Sequence, residues 1–343
     1  MVTVALDAMG SDRGPEVTVA GAAQVSLSPG APDLVLVGDE AVLRRLLLVT
    51  PHERARVRVV HAARVVAQDD KPKEALDAMP DCSILRAAEL VARGEADVLV
   101  SAGNTGAVTL ACARTFARLP TVQRAALGAV YPTERRRGPK DDPFSLILDA
   151  GLTLEVSADD LVAFAIMGSA YAKVISKNER PRVALLSNGS EDGKGTSAVV
   201  EANRRLRAIA GEHLEFIGNI EGMDIPKGTA DVVVTGGFTG NIVLKMLEGV
   251  AETVMRLGRY AGDQSLRYKA GLGLLMPAVK KLRQATDWEQ YGGAPILGFD
   301  HLAIKAHGRS TERAVGNALR VATRAARMEL VRTLRESLEA CRA

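Results

Sequence analysis

Five times along this chain an apolar run of the kind that builds a strand buried on both faces meets a polar, glycine-rich turn, and a helical pattern follows. Thr3-Val-Ala-Leu-Asp-Ala runs into Met9-Gly-Ser-Asp-Arg-Gly, before Pro15 and Glu16, a proline and an acid placed where the first turn of a helix favours them. Ala96-Asp-Val-Leu-Val-Ser runs into Gly103-Asn-Thr-Gly106, and Arg182-Val-Ala-Leu-Leu-Ser into Asn188-Gly-Ser-Glu-Asp-Gly-Lys-Gly, with Thr196 or Ser197 as the helix cap. Asp231-Val-Val-Val-Thr leads to Gly236-Gly-Phe-Thr-Gly-Asn241 and a helix over 242–256. Leu302-Ala-Ile-Lys-Ala leads to His307-Gly-Arg-Ser310 and another long helix. Strand and helix alternating in this way leave little but an α/β fold with a parallel sheet. In an open parallel sheet the turns that follow strands gather along one edge, so the five turns are expected to line a single crevice. Glycines let backbone approach a ligand closely, and free amides at helix starts point into the turns, which suits an anion.

The intervening segments fit the same scheme. Asp33 to Gly38 and Arg56 to Val60 read as strands around a helix over 40–49. A loop from Asp69 enters a short helix that Pro80 interrupts, and a helix over 84–93 closes on Gly94 in the position of a left-handed cap. Leu127 to Pro132 and Phe144 to Asp149 are strands flanking a polar loop rich in Arg and Pro, which reads as solvated. A helix is expected over 159–177. From Ile242 a helical region runs to about Arg283, with breaks expected at Gly262-Asp and at Gly271-Leu-Gly-Leu-Leu-Met-Pro277, and Tyr291-Gly-Gly-Ala-Pro is a tight turn before the last strand. Thr311 to Cys341 reads as one long Arg-rich helical segment, a docking surface for an acidic partner. All 343 residues are expected to form one α/β unit, with a helical excursion over about 250–290.

Composition removes several function classes. A net charge of +3 with 3% aromatics gives neither the basic patch nor the stacking residues of a nucleic-acid binder. The three cysteines, Cys82, Cys112 and Cys341, are too scattered for a disulfide framework or a zinc site, so no metal is expected and the compartment reads as reducing. No run approaches the roughly 18 apolar residues of a bilayer span, and the N-terminus reads as a first strand rather than a leader, so the expected location is cytoplasmic.

The residues of the expected crevice are glycine turns, Asn104, Asn241, Lys194, His307 and hydroxyls, with Asp7 and Asp149 at strand ends as either turn formers or site carboxylates. No Ser-His-Asp or Cys-His order, Walker lysine or Rossmann fingerprint is present. Amides, asparagines and a lysine can hold an anion and stabilise an oxyanion, but they offer no protein nucleophile. The bound anion would then be the nucleophile, and phosphate attacking a thioester fits, because the thioester already carries a good leaving group. No cofactor is required.

Seven motifs carry a resemblance: Leu-Asp-Ala-Met-Gly at 6–10, Ser-Ala-Gly-Asn-Thr-Gly at 101–106, Phe-Ala-Ile-Met-Gly-Ser at 164–169, Phe-Ile-Gly-Asn-Ile-Glu-Gly at 216–222, Gly-Asn-Ile-Val-Leu-Lys at 240–245, Tyr-Gly-Gly-Ala-Pro at 291–295 and Ile-Lys-Ala-His-Gly at 304–308. Together they resemble the PlsX family of bacterial phosphate acyltransferases, which make acyl phosphate from acyl carrier protein thioester and inorganic phosphate for phospholipid synthesis. The resemblance implies a three-layer α/β/α sandwich of the isocitrate and isopropylmalate dehydrogenase type, shared with phosphotransacetylases, working as a homodimer. It implies that Lys194 and Asn241 are catalytic, Lys194 serving phosphate and the developing oxyanion and Asn241 hydrogen bonding the phosphate or carbonyl. Asp7, Gly10, Gly103, Asn104, Thr105, Gly106, Gly240 and His307 would place phosphate or substrate. The apolar residues Leu272, Leu274, Leu275 and Met276, which on sequence alone read as a packing contact beside Lys269, Lys280, Lys281 and Arg283, would form a membrane-contacting tip between two helices. Implied partners are acyl carrier protein, inorganic phosphate, a second copy of the chain, the membrane and a downstream glycerol-phosphate acyltransferase. The chain departs from the family pattern at Ser11, Arg13, Asp77 to Pro80, Thr153 and Gly236-Gly237. These departures keep open an inactive membrane-associated scaffold, and a short-chain acyl-CoA phosphate acyltransferase stands beside it as a neighbouring alternative.

Overall fold

A computed structural model describes residues 1–137, 142–211, 214–285 and 292–341. Among the described residues eleven strands form one mixed sheet in the order β3-β2-β1-β4-β11-β10-β5-β6-β9-β7-β8. The first half is built from β1 (Thr3–Asp7), β2 (Asp33–Gly38), β3 (Val57–His61), β4 (Val98–Ser101) and β11 (Leu302–Lys305), all parallel. The second half contains β6 (Asp142–Leu148), β7 (Arg182–Leu186), β8 (Glu215–Ile220) and β9 (Val232–Val234), also parallel to one another. Between them stand β5 (Ala126–Arg137) and β10 (Ala294–Leu297). The pairs β11·β10, β10·β5 and β5·β6 are all antiparallel. Three reversals leave the second half running opposite to the first.

This overturns the expectation that all five turns lie along one edge. The turns after β1, β4 and β11 lie at one edge of the sheet, and those after β6, β7 and β9 lie at the other. Repeated strand-turn-helix units are blind to direction, and the short antiparallel β10 that flips the second half carries no glycine-rich turn at its end that would mark it as one of them.

The described residues form twelve α-helices: α1 (Pro15–Ser26), α2 (Glu40–Val49), α3 (Pro72–Ala78), α4 (Ser83–Ala92), α5 (Thr105–Thr115), α6 (Ala158–Tyr171), α7 (Ser197–Ile209), α8 (Asp224–Lys227), α9 (Gly237–Asp263), α10 (Leu266–Ala285), α11 (Glu312–Arg327) and α12 (Leu330–Ala340). Their starts follow local chemistry. Pro15 fills the first turn of α1, Ser157 and Asp160 form a capping box on α6, and Thr196 and Thr311 cap α7 and α11.

On one face a single core runs beneath α1, α6, α7, α11 and α12 across both halves, from Leu6 and Val100 through Leu148 to Leu185 and Val234. On the opposite face the core is split in two. Ala5, Leu99 and Ala303 pack beneath α4 and α5, whereas Ile147, Ala184 and Val233 pack with Val243, Leu244 and Leu247 of α9. Alternation along each strand sends neighbours to opposite faces, so Asp7, Ser101 and Lys305 open on the split face beside these cores.

Three local expectations also change. Gly237 to Asn241 form the first turn of α9 rather than a loop, capped by Gly236. Residues 271–277 do not break the chain: α10 passes through them, with Leu272 to Met276 inside the helix and not at its junction with α9, and Pro277 inside it as well. Interior glycines weaken a helix without forbidding it, and a proline removes one hydrogen bond. The segment 311–341 is two helices, parted where Glu329 takes φ 51°. Tyr291, like the centre of the basic loop at 138–141, lies outside the described residues.

Candidate active site

At the first edge four loops interlock. Gly10 and Gly103 pass so close that a Cβ on Gly10 would stand 2.7 Å from the Gly103 Cα and 2.7 Å from Asp7 Oδ2, which only glycine permits. The Gln68 amide donates to the carbonyls of Gly10 and Ala102, both at 2.9 Å. Ser11 Oγ and the Asp12 amide both donate to the Gly308 carbonyl, tying the β1 turn to the β11 turn. Asn104 caps α5 by accepting from the Ala107 amide at 3.1 Å and donates to the carbonyls of Gln68 and Asp70. Its side chain therefore shapes this edge rather than reaching away from it. Thr105 and Gly106 begin α5, and a Cβ on Gly106 would strike Pro72. A shallow depression lies between Asp7, Gly103, Asn104 and α5.

Asp7, Ser101 and Lys305 hold one register position on β1, β4 and β11. Ser101 Oγ donates to Asp7 Oδ2 at 2.7 Å and accepts from the Gly103 amide. Burial pushes the Asp7 carboxyl up, with the Ser101 hydrogen bond opposing. Lys305 is only 7% exposed, and burial brings its ammonium down to about 8, with the charges of Asp12 and Asp7 pulling the other way. Two residues on, His307 accepts from the Arg309 amide. Its imidazole is held low by burial and then by the charges of Lys305, Arg309 and Lys245, with Asp12 opposing. Lys305 escaped sequence reasoning because it ends an apolar strand. A lysine at an inward strand position is itself the signal, since lysines are almost never buried without a partner.

The second edge is built around Asp149, which is fully buried and accepts from the backbone amides of Leu127, Gly151, Leu152 and Thr153. Burial pushes its carboxyl up, and the amides oppose. Asp149 thus acts as a turn former: its oxygens are engaged with its own loop and with the Leu127 amide of β5. The α9 start rests on that loop. A Cβ on Gly240 would stand 1.9 Å from the Asp149 carbonyl oxygen, and Gly151, at φ 132°, lies against the Asn241 side chain. Beside it, the turn after β7 carries Lys194, whose stem runs over Gly189. Among the described residues no hydrogen bond or ion pair engages the Lys194 ammonium or the Asn241 amide, in contrast to Asn104 and Asp149.

The structure therefore divides the sequence-derived site. Asp7, Gly10, Gly103, Asn104, Thr105, Gly106 and His307 stand at one edge, and Lys194, Gly240 and Asn241 at the other. α9 connects them. Asn241 and Lys245, four residues apart, share a helix face, and the charge of Lys245 acts on His307 across the gap between the two cores. Leu272 packs against Gly262, while Leu274 (84% exposed), Leu275 and Met276 are open to solvent. Among the described residues no helix is long and apolar enough to cross a membrane.

Comparisons with known proteins agree with this architecture. A family model described as "Fatty acid synthesis protein" matches residues 2–333. A phosphate acyltransferase of Thermodesulfovibrio yellowstonii is 37% identical over 338 residues, covering 98% of this chain and 94% of the relative. One from Myxococcus xanthus is 42% identical over 318 residues, covering 92% and 87%. Among solved structures, a phosphotransacetylase from Streptococcus pyogenes superposes with a TM-score of 0.63 at 18% identity, covering 96% of this chain and 94% of that one. A 4-hydroxythreonine-4-phosphate dehydrogenase from Klebsiella pneumoniae superposes with a TM-score of 0.52 at 18% identity, covering 95% and 98%, which places the fold in the isocitrate and isopropylmalate dehydrogenase type. With identity above 30% over nearly the whole length and a family model covering almost all of it, the chain belongs to the phosphate acyltransferase family.

Proposed function

We propose that this enzyme transfers a long-chain acyl group from acyl carrier protein to inorganic phosphate, with phosphate as the direct nucleophile. The observation that carries the reading is the pairing, on neighbouring turns of one sheet edge, of an ammonium and an amide that no other described group engages, Lys194 and Asn241. Lys194 attracts phosphate and then the negative charge that builds on the thioester oxygen. Asn241 hydrogen bonds the phosphate or that oxygen at the start of α9, where the helix favours negative charge. A phosphate oxygen forms the new bond to the acyl carbon, the carbon-sulfur bond breaks, and the leaving thiolate takes up the proton that phosphate gives up. Asp7, Gly10, Gly103 to Gly106 and His307 form the substrate-facing wall at the other edge, with Asn104 fixing its shape. No cofactor or metal enters the reaction.

The working form is proposed to be a homodimer, on the strength of the apolar residues exposed along α9. The exposed Leu274, Leu275 and Met276 are proposed to touch the membrane peripherally, bringing a cytoplasmic enzyme to the surface where a glycerol-phosphate acyltransferase would consume its product.

The deciding assay mixes the pure protein with palmitoyl-acyl carrier protein and phosphate. Palmitoyl phosphate is expected, and Lys194→Ala is expected to abolish it while leaving the far-ultraviolet circular dichroism unchanged. Wild-type turnover in Lys194→Ala removes Lys194 from the mechanism. The likeness to phosphotransacetylases favours, as a second reading, a short-chain acyl-CoA donor. Acetyl phosphate from acetyl-CoA, with palmitoyl-carrier protein untouched, would select it. No acyl phosphate from either donor, with binding to anionic vesicles intact, would select a scaffold.

A further inference from the structure

Lys194 stands in a loop with glycines at 189, 193 and 195, the kind of segment that loses most conformational freedom when it is ordered. A cation there can meet an anion at a defined place only if something outside the loop fixes it. The Phe-Ile-Gly-Asn-Ile-Glu-Gly motif at 216–222, which no part of the proposed reaction uses, supplies the fixture. Between Val183↔Phe216 and Ala184↔Gly218 the register of β7 and β8 slips by one, so Ile217 is an extra residue and Gly218 takes φ +97°. Phe216 and Ile220 consequently enter cores on opposite faces of the sheet, although regular alternation would put them on the same one. The bulge turns Asn219 towards α7, and re-aiming a side chain is what bulges beside functional sites do.

From there Asn219 Nδ2 donates to the carbonyls of Glu191 at 2.8 Å and Lys194 at 3.4 Å. Its Oδ1 accepts from Asn203 Nδ2 at 2.9 Å, and Asn203 Oδ1 accepts from Arg207 Nε at 3.1 Å. Arg207 also donates to Asp192 Oδ1 on the same loop, at 2.5 Å. Asn219 and Asn203 are almost wholly buried, 6% and 1% exposed, and their amides are oriented by this chain of bonds. A Cβ on residue 218 would stand 3.0 Å from the Arg207 guanidinium, so the same glycine that makes the bulge makes room for the arginine.

We propose that Asn219, oriented by Asn203 and Arg207, is the positioning residue that holds the Lys194 loop in the shape that presents its cation to phosphate. The proposal rests on the reading of Lys194 as the phosphate-facing group. Asn219→Asp keeps the acceptor but turns a carboxylate towards two carbonyl oxygens, and half-exposed Arg207→Met removes the outer brace. Steady-state kinetics with palmitoyl-acyl carrier protein and phosphate, together with hydrogen exchange of the amides of residues 189–195, test it. In Asn219→Asp the KM for phosphate is expected to rise by about tenfold or more, with the KM for the acyl donor changed less than about twofold. Arg207→Met is expected to shift the phosphate KM in the same sense by about threefold, and loop exchange is expected to quicken in both. An unchanged phosphate KM with unchanged loop exchange in both single variants overturns the proposal. Should Asn219→Asp fail to fold, Arg207→Met alone decides. Wild-type turnover in Lys194→Ala sinks the reading of Lys194 instead, and loop exchange in Asn219→Asp then still reports whether the tether exists.

Discussion

Asp7 and Lys305 end their strands at the same register on the same face of the sheet, with Ser101 between them, so a carboxyl and an ammonium face the buried edge of the glycine turns two strands apart. The ammonium is the more informative partner because it titrates within reach. Its folded value of about 8 lies below the ordinary 10.5 because burial disfavours the charged form. Between about pH 8 and 10.5 the unfolded chain holds this proton and the folded chain has released it, so raising the pH across that window stabilises the fold. The gain over the window is at most about 3 kcal/mol. Urea midpoints measured from pH 7.5 to 10.5 are expected to climb more in the wild type than in Lys305→Met. Parallel profiles would mean that Lys305 titrates as it would in water.

Gly240 meets the Asp149 carbonyl where no side chain fits. Gly240→Ala forces the first turn of α9 away from the 149–153 loop and is expected to destabilise the fold by about 3 kcal/mol, as overpacking does, and to carry Asn241 out of place. Gly258→Ala on the same helix, with nothing within 4 Å, is expected to be neutral or stabilising by up to about 1 kcal/mol. Thermal unfolding of the two variants side by side checks the contrast, and equal effects would refute the close approach.

Asn104 gives its oxygen to the α5 cap and its nitrogen to the carbonyls of Gln68 and Asp70. Asn104→Ala is expected to cost about 1–2 kcal/mol, the range of a lost cap, and to loosen the 68–70 loop in hydrogen exchange. Asn104→Asp keeps the cap but loses the donor, so the stability loss is expected to shrink while the loop stays loose. A loop that stays protected in both would show that the clamp is held by other groups.

Much of this arrangement was legible in the residues, and the missing part has one physical origin. Pro15, Gly94 and Thr196 mark helix ends by chemistry local to them, and the structure places each at the position read for it. Strand direction is different. The reversal depends on Ala294 to Leu297 pairing with Leu302 to Lys305 on one side and with Ala126 and Leu127, more than 160 residues earlier, on the other. Nothing in a four-residue apolar run says which way it will lie, so five alike turns were sent to one edge when they occupy two. Asn219 was hidden for a related reason: only the slipped register at Ile217 turns it towards the Lys194 loop, and a bulge is a property of two strands together.

Across the split face, Lys245 is one of the cations that hold the His307 imidazole low. Lys245→Ala is expected to raise the His307 pKa, and Lys245→Glu to raise it further, with burial still keeping both below a solvent-exposed histidine. Imidazole proton shifts followed by NMR from pH 4 to 8 measure this. Identical titration in all three proteins would mean that α9 and the β11 turn are farther apart than the structure has them.

α9 carries more apolar surface than its core covers. Val243, Leu244 and Leu247 pack into the core of the second half, whereas Phe238, Ile242, Met246, Val250, Val254, Leu257 and Tyr260 are each half or more exposed. Apolar surface that continues along a helix past the core it packs on needs a second neighbour. From Phe238 to Tyr260 the exposed stripe runs about 33 Å, longer than the scattered apolar residues ordinary surfaces carry. A second copy of the same helix would satisfy it by two-fold symmetry, because each stripe would then meet its own equivalent. Met246→Glu with Val250→Glu places two charges in that contact without touching Val243, Leu244 or Leu247. Sedimentation velocity at micromolar concentration is expected to give a dimer for the wild type and a folded monomer for the double variant. A monomeric wild type would leave the stripe to some other partner, and a dimeric double variant would place the contact elsewhere on the surface.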